Sequence, residues 1–193
     1  HKLSGNLYYN TTYHSYSNVL KKLNADYFTF LPVQQKIAKS ILTQFNGVVQ
    51  NNEESTIRNL NVFLKKKFQY SDDYSSNSFE DIVAINKSGI ANDRGLIKLY
   101  CLLLSELKVD YHVLVAADKN EVRLDTNYCS RISLDEFLIY FPKHDSYLYP
   151  ASQHLHYGLV PWWLIGNTAF IVTKDSEYTH FVGPNPPHFR EIP

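Results

Sequence analysis

The side chains best suited to nucleophilic chemistry in this sequence are its two cysteines, Cys101 and Cys129. Cys101 lies on the apolar face of a predicted helix, where a free cysteine is usually an inert core residue. Cys129 lies in a polar stretch upstream of His144 and Asp145. A displaced Cys–His pair is one hypothesis for it, and an unreactive loop cysteine is the other. The spacing of the two cysteines matches neither a redox pair nor a zinc site.

Two histidines have a spacing that suits metal binding. His154 and His156 alternate along a predicted extended segment, so their side chains point to one side. No third ligand is evident nearby in the sequence, and solvated surface histidines are the simpler interpretation. The sequence therefore predicts no metal site and no cofactor.

Aromatic side chains are dense between residues 147 and 163. They are Tyr147, Tyr149, Tyr157, Trp162 and Trp163. Such side chains can line a groove for a peptide or a sugar, although in a sheet-rich segment they more often belong to the core. A carbohydrate- or peptide-binding module built on this segment is therefore one function that the sequence leaves open.

The composition is that of a folded domain with balanced charge. The chain has 193 residues, 44% of them hydrophobic and 15% aromatic, which suffices for one sizeable core. The 19 basic and 19 acidic residues cancel, and the tightest basic cluster, at 65–67, lies near the end of a predicted helix. A solvated helix face is the simpler interpretation of this cluster. Nucleic acid and an anionic membrane surface are thus disfavoured as the main partner, and no membrane span is predicted.

Helical periodicity dominates the first half of the chain and strand periodicity the second. Helices are predicted at residues 32–45, 55–68, 79–85 and 93–107, with Ser55 or Thr56 capping the second. Strands are predicted at residues 111–116, 136–142, 147–149 and 168–173. Helices followed by strands predict an α+β fold in which the helices pack on an antiparallel sheet.

The two ends of the chain differ from its centre. Residues 1–31 are interpreted as a lead-in segment from a preceding domain, with one short helix at 16–23. Residues 174–193 end in a Pro-rich stretch and are interpreted as an extended tail or linker. The sequence starts with a histidine and contains no methionine, so we expect it to be a piece of a longer protein.

Five short segments resemble, in order and spacing, those of a known family. They are NKSGIAND at 86–93, LDEFLIY at 134–140, YLYPASQ at 147–153, YGLVP at 157–161 and GNTAFI at 166–171. Together they resemble the bacterial transglutaminase-like domains, which are related to papain, over residues 32–173. The resemblance implies a transglutaminase-like, cysteine-protease-like core over that range.

The resemblance also implies that the family's catalytic residues are replaced. In the family a cysteine thiolate at a helix N-terminus attacks, a histidine on the adjacent strand takes its proton, and an aspartate orients that histidine. The matching positions here hold Ala91 for the cysteine, Glu136 (or its neighbour Asp135) for the histidine, and Tyr149 for the aspartate. No catalytic residue is therefore predicted, and the chain is interpreted as a pseudoenzyme.

A cleft without its triad remains a candidate binding site. Its expected residues are Asp93, Glu136, Tyr149, Trp162 and Trp163. If Asp93, Asp135 and Glu136 converge there, paired carboxylates could serve acid–base work, although Asp93 more simply charges its helix N-terminus.

The expected function is that of an inactive binding or structural module in a multidomain protein. Its expected partners are the neighbouring domains of the parent chain and a peptide or glycan. The resemblance implies a periplasmic or extracellular location in Gram-negative bacteria. The alternatives are an active thiol hydrolase or amidase with a displaced nucleophile, and the carbohydrate- or peptide-binding module.

Overall fold

The computed structural model describes residues 16–49, 51–116, 135–174 and 178–182. Within them, five α-helices precede most of the strands. They are α1 (Tyr16–Phe28), α2 (Pro32–Thr43), α3 (Glu53–Lys67), α4 (Ile82–Ser88) and α5 (Asp93–Glu106). Two single 3-10 turns lie at Asn77–Phe79 and Trp162–Leu164.

A five-stranded sheet follows the helices. Its strands are β3 (His112–Ala116), β4 (Glu136–Phe141), β5 (Ser146–Leu148), β6 (Thr168–Val172) and β7 (Tyr178–Val182). Their order in the sheet is β5-β4-β3-β6-β7, and each neighbouring pair is antiparallel. Two further two-residue strands, β1 (Gln69–Tyr70) and β2 (Ile90–Ala91), pair in parallel. The predicted α+β fold with an antiparallel sheet is confirmed.

Helix α5 lies at the centre of the core. Its leucines 99, 102, 103 and 104 are fully buried, and it contacts α1, α2, α4 and β4. A helix that is apolar over most of its circumference must be covered on most sides. Burial of one such leucine is worth roughly 1.5–3 kcal/mol, so α5 supplies much of the energy that holds the helices on the sheet.

Both faces of the sheet are covered, at least at its centre. On β3, Val113 and Val115 face the helical core, whereas Leu114 and Ala116 belong to a second apolar cluster on the opposite face. Leu164, from the Trp162–Leu164 turn, packs in that second cluster. Because side chains alternate along a strand, β3 contributes residues to two separate apolar clusters, one on each face of the sheet.

The start of α3 differs from the prediction. Asn52 caps the helix, because its Oδ1 accepts a hydrogen bond of 2.9 Å from the Ser55 N–H. The predicted caps, Ser55 and Thr56, lie within the first turn. The Thr56 hydroxyl instead accepts a 2.9 Å bond from the Val49 N–H and so holds the preceding loop.

Helix α4 begins later than predicted. Asp81 caps it by accepting the Ala84 N–H at 2.8 Å, and Phe79, the predicted start, lies in the preceding 3-10 turn. The helix ends at Gly89, whose φ of 73° favours a residue without a Cβ atom. The turn at Gly89 redirects the chain, and β2 begins at the next residue, Ile90.

The predicted domain limits at 31/32 and 173/174 stay predictions, but packing crosses both. Val19, Leu20, Leu23 and Tyr27 of α1 belong to the same core as α5. Strand β7 pairs with β6 along five residue pairs. The Pro-rich stretch at 183–193 lies outside the described residues.

Candidate functional site

The N-terminus of α5 is fixed by its buried cap. The Oδ1 of Asn92 accepts the Gly95 N–H at 2.9 Å, and the Asn92 N–H donates to the carbonyl of Phe79 at 3.1 Å. A Cβ atom on Gly95 would lie 2.0 Å from that same carbonyl oxygen. The helix start is therefore clamped against the Asn77–Phe79 turn, and Asp93 follows it at a fixed place.

Ala91 lies in β2, immediately before the cap. Its strand partner is Tyr70, and its carbonyl accepts the Ser71 N–H at 2.9 Å. The residue has no exposed surface. The resemblance put Ala91 at the N-terminus of the long helix, and the structure places it two residues ahead of the first helical residue, Asp93.

Glu136 and Tyr149 are in direct contact. The Tyr149 hydroxyl donates a hydrogen bond of 2.9 Å to Glu136 Oε2, and the indole N–H of Trp163 donates one of 3.1 Å to Glu136 Oε1. Glu136 opens β4, Tyr149 follows β5, and β4 pairs with β5. Strand adjacency thus brings the first two together, and the Trp162–Leu164 turn adds the third.

Asp93 belongs to the same electrostatic environment. Burial raises the pKa of its carboxyl, and the Arg94 N–H, 2.6 Å from Asp93 Oδ1, and the nearby Tyr74 hydroxyl act against that rise. The pKa of Tyr149 is raised by burial first, and then by the charges of Glu136 and Asp93 among others. The charges of Glu136 and Asp93 therefore both act on the Tyr149 hydroxyl.

Tyr70 also belongs to this group, although the sequence did not single it out. Its pKa is raised by burial and then by the charges of Asp93, Asp72 and Glu136, whereas the Tyr74 hydroxyl lowers it. The short β1 strand carries it to this place, and no local pattern predicts a two-residue strand. We call Tyr70, Asp93, Glu136, Tyr149 and Trp163 the Glu136 site.

The Glu136 site offers carboxylate acceptors and hydroxyl or indole donors. Among the described residues no thiol belongs to it, because Cys101 lies eight residues after Asp93, roughly 12 Å along the helix. Burial raises the pKa of the Cys101 thiol, and the adjacent Tyr111 hydroxyl lowers it only in part. Cys129 lies outside the described residues.

The remaining predicted residues are spread over the surface. Trp162 is 64% exposed, and its ring meets that of Trp163 edge-to-face, with centroids 5.9 Å apart. Asp135, just before β4, is exposed, and so are His154 and His156. No cluster of three or more His, Cys, Asp or Glu side chains suited to a metal occurs in the described part of the chain.

His144 and Asp145, the partners considered for a displaced thiol, have other contacts. His144 Nε2 lies 2.8 Å from Glu53 Oε1 at the start of α3. Asp145 Oδ1 accepts a 3.1 Å hydrogen bond from the Tyr140 hydroxyl. Both contacts fix the β4–β5 turn and provide no catalytic geometry by themselves.

A surface depression of about 440 Å³ adjoins the Glu136 site. Tyr70 lines it together with Gln69, Ser71, Asp72 and Ile90, whereas Asp93, Glu136 and Tyr149 do not. Of the Glu136 site, Tyr70 is thus the residue that borders this opening.

Comparison of the chain with protein-family models, curated proteins and solved structures gives no match. No helix among the described residues is both long and apolar enough to cross a membrane.

Proposed function

We propose that the chain is a non-catalytic transglutaminase-like domain whose cleft, the Glu136 site, serves as a binding surface or structural joint in a larger protein. The observation that carries this proposal is the contact of Tyr149 and Trp163 with the two oxygens of Glu136. The positions that the resemblance assigns to the family's histidine and aspartate are adjacent, as a triad requires, yet they hold a glutamate and a tyrosine.

The chemistry of these replacements disfavours thiol catalysis. An alanine has no nucleophile, and Ala91 is in addition fully buried. The two oxygens of Glu136 each accept a hydrogen bond already, one from the Tyr149 hydroxyl and one from the Trp163 indole. Tyr149, whose pKa is raised, remains a protonated donor at neutral pH. The site is therefore suited to recognition by hydrogen bonds.

The proposed partners and location follow from the resemblance. Neighbouring domains of the parent chain and a peptide or glycan are the proposed partners, in the periplasm or outside the cell. No nucleic acid and no cofactor is proposed. A thiol hydrolase using Cys129 remains a competing proposal, while the burial of Cys101 disfavours that cysteine as its nucleophile.

The exposure of Trp162 favours a second candidate, a carbohydrate- or peptide-binding module. Trp162 contacts Trp163 edge-to-face, and Trp163 in turn donates to Glu136. Ligand sites are commonly lined by aromatic side chains together with a few well-placed polar groups. In this candidate the ligand would contact Trp162, which lies next to Trp163 of the Glu136 site.

The test is an amide-hydrolysis and amide-transfer assay with glutamine-containing peptides and a primary amine. We expect equal, background rates for the wild type and for Glu136→Gln, Tyr149→Phe and Cys129→Ala. Asp110→Asn is the matched control, since it removes an exposed carboxylate that does not belong to the Glu136 site. Turnover that Glu136→Gln or Cys129→Ala abolishes, and Asp110→Asn does not, would overturn the proposal.

The binding side of the proposal needs a ligand screen with the same variants. We expect a saturable peptide or glycan whose affinity falls with Glu136→Gln. A ligand that loses affinity with Trp162→Ala but not with Glu136→Gln would favour the second candidate instead.

A further inference from the structure

A second depression, of about 430 Å³, opens beside the C-terminal end of α3 and shares Gln69 and Ile90 with the depression next to Tyr70. Lys65, Lys66 and Lys67 line it, together with the side chains of Ser88 and Gln153 among others. None of its lining residues carries a negative charge. In a chain with no net charge, this is a locally positive concave surface.

The three lysines have no carboxylate partner in the part of the chain that the structure describes. The ion pairs there use other cations, namely Arg58, Arg94 and Lys143. Lys67 Nζ donates to the neutral Gln44 Oε1 at 2.8 Å, and Lys66 is exposed. Their positive charges are therefore not neutralised by neighbouring side chains.

Lys65 differs from a solvated surface lysine. It is half-buried, and its Nζ donates to the carbonyl of Leu155. Burial lowers its pKa to about 8. An ammonium group has three donors, so a partly desolvated one beside a single neutral carbonyl can still hydrogen-bond an anion.

The helix ends nearby do not cancel these charges. The C-termini of α3 and of the seven-residue α4 meet at this depression. A helix C-terminus carries about half a negative charge at most, so three lysines leave a surplus of about two positive charges. The positive charge of the three lysines is therefore larger than the negative charge of the two helix C-termini.

We propose that this depression binds the phosphate group of a small, soluble phosphorylated ligand. Lysine ammonium groups bind phosphate as point charges. The Gln153 amide donates one hydrogen to the Phe68 carbonyl at 3.4 Å and has a second hydrogen to donate. Lys65, Lys66 and Lys67 form one local cluster in a chain without net charge. A single phosphate group therefore suits this depression better than an extended polyanion does.

The experiment is a titration of the 193-residue chain with inorganic phosphate and with glycerol 3-phosphate, followed by amide NMR shifts around Gly89. We compare Lys66→Gln/Lys67→Gln with Lys36→Gln/Lys39→Gln, which removes two exposed charges from α2. The first pair should weaken binding about tenfold or more, since charge-assisted hydrogen bonds are lost. The control pair should leave binding unchanged.

Three outcomes would overturn the proposal. The first is the absence of saturation below about 10 mM of either ligand, which is tenfold above a millimolar dissociation constant. The second is an equal loss of binding in both variant pairs, which indicates a general charge effect. The third is binding to vesicles that contain phosphatidylglycerol, but to neither small phosphate, which assigns the lysines to a membrane surface.

Discussion

The hydroxyl of Tyr100 on α5 donates a hydrogen bond of 2.9 Å to Asn61 Oδ1 on α3, and both side chains are buried. The two residues are 39 positions apart, so this bond fixes how one helix packs against the other. A buried polar pair is stabilising only while both members are present, because each alone carries the cost of desolvation.

The Tyr100–Asn61 bond predicts an asymmetric response to mutation. Asn61→Leu should lower the free energy of unfolding by about 2–3 kcal/mol, because it leaves the Tyr100 hydroxyl buried without an acceptor. Adding Tyr100→Phe to it should restore part of that loss. Urea unfolding of both single variants and the double variant measures the coupling. Strictly additive losses would contradict the bond.

Replacement of Glu136 by glutamine should disturb Trp163 more than Tyr149. The indole N–H can only donate, so the glutamine oxygen must face Trp163, and the Tyr149 hydroxyl must then accept from the amide. We expect a loss of about 1 kcal/mol in stability and an upfield shift of the Trp163 indole proton. Glu136→Leu should cost more, since it leaves both donors without an acceptor. An unchanged indole signal in Glu136→Leu would show that the bond is absent in solution.

The half-buried carboxyl of Asp93 predicts a pH dependence of stability. Its pKa is raised above the ordinary value, so between the two values the folded chain binds more protons than the unfolded chain. The contribution of Asp93 to stability therefore falls as the pH rises through that window, and the full penalty is present at neutral pH. The free energy of unfolding of Asp93→Asn, measured relative to that of the wild type, should therefore be higher at pH 7 than at about pH 4.

The comparison for Asp93 is urea unfolding at both pH values, with Asp110→Asn as a control for removing an exposed carboxylate. The control should change the pH profile less. A profile for Asp93→Asn that is parallel to the wild type would contradict the raised pKa.

The burial of Cys101 predicts that it resists alkylation. Its pKa is raised, and a thiol must also become exposed before it reacts. Opening of a core costs roughly 5 kcal/mol or more, so iodoacetamide should modify Cys101 at least about 1,000-fold more slowly in the folded chain than in urea. Mass spectrometry, residue by residue, measures both rates. Fast modification of Cys101 well below pH 8.5 would revive the thiol-enzyme proposal.

At Gly95, a glycine-to-alanine substitution should destabilise the protein, whereas inside most helices it stabilises. Glycine to alanine inside a helix normally stabilises by about 1 kcal/mol. Here the added Cβ would lie 2.0 Å from the Phe79 carbonyl oxygen, and the backbone must shift. We expect Gly95→Ala to lower stability by at least about 2 kcal/mol, as thermal unfolding would measure. A gain in stability would show that the helix start is not clamped.

The sequence predicted the elements whose patterns are long and local. Helix α5 and strands β3 to β6 lie within one or two residues of their predicted bounds, because leucines at helical spacing and alternating Val, Ile and Phe residues are strong signals. Strand β7 was missed, since the alternation of its five residues is weak. The pair β1–β2 was missed because two residues carry no period, and only pairing between distant segments defines them.

The site was predicted only in part, for a similar reason. The resemblance matched Glu136 and Tyr149 to the histidine and aspartate positions of a triad, and the pairing of β4 with β5 is what brings them into contact. Trp163 was named as a cleft residue, but its hydrogen bond to Glu136 depends on how the long segment after β5 folds back. Tyr70 depends on β1 in the same way. The roles of these residues stay predictions.

The packing of α1 has a consequence for how the chain folds. Asn24 donates to the carbonyl of Thr173, 149 residues later, and the Tyr111 hydroxyl donates to the carbonyl of Tyr27 across 84 residues. Contacts of such long separation require most of the chain to be present before they can form, and they slow folding. The apolar face of α1 packs on α5 and on β6, so during synthesis it stays uncovered in part until those later elements have been made. An uncovered apolar face of this kind can bind a chaperone or a second chain.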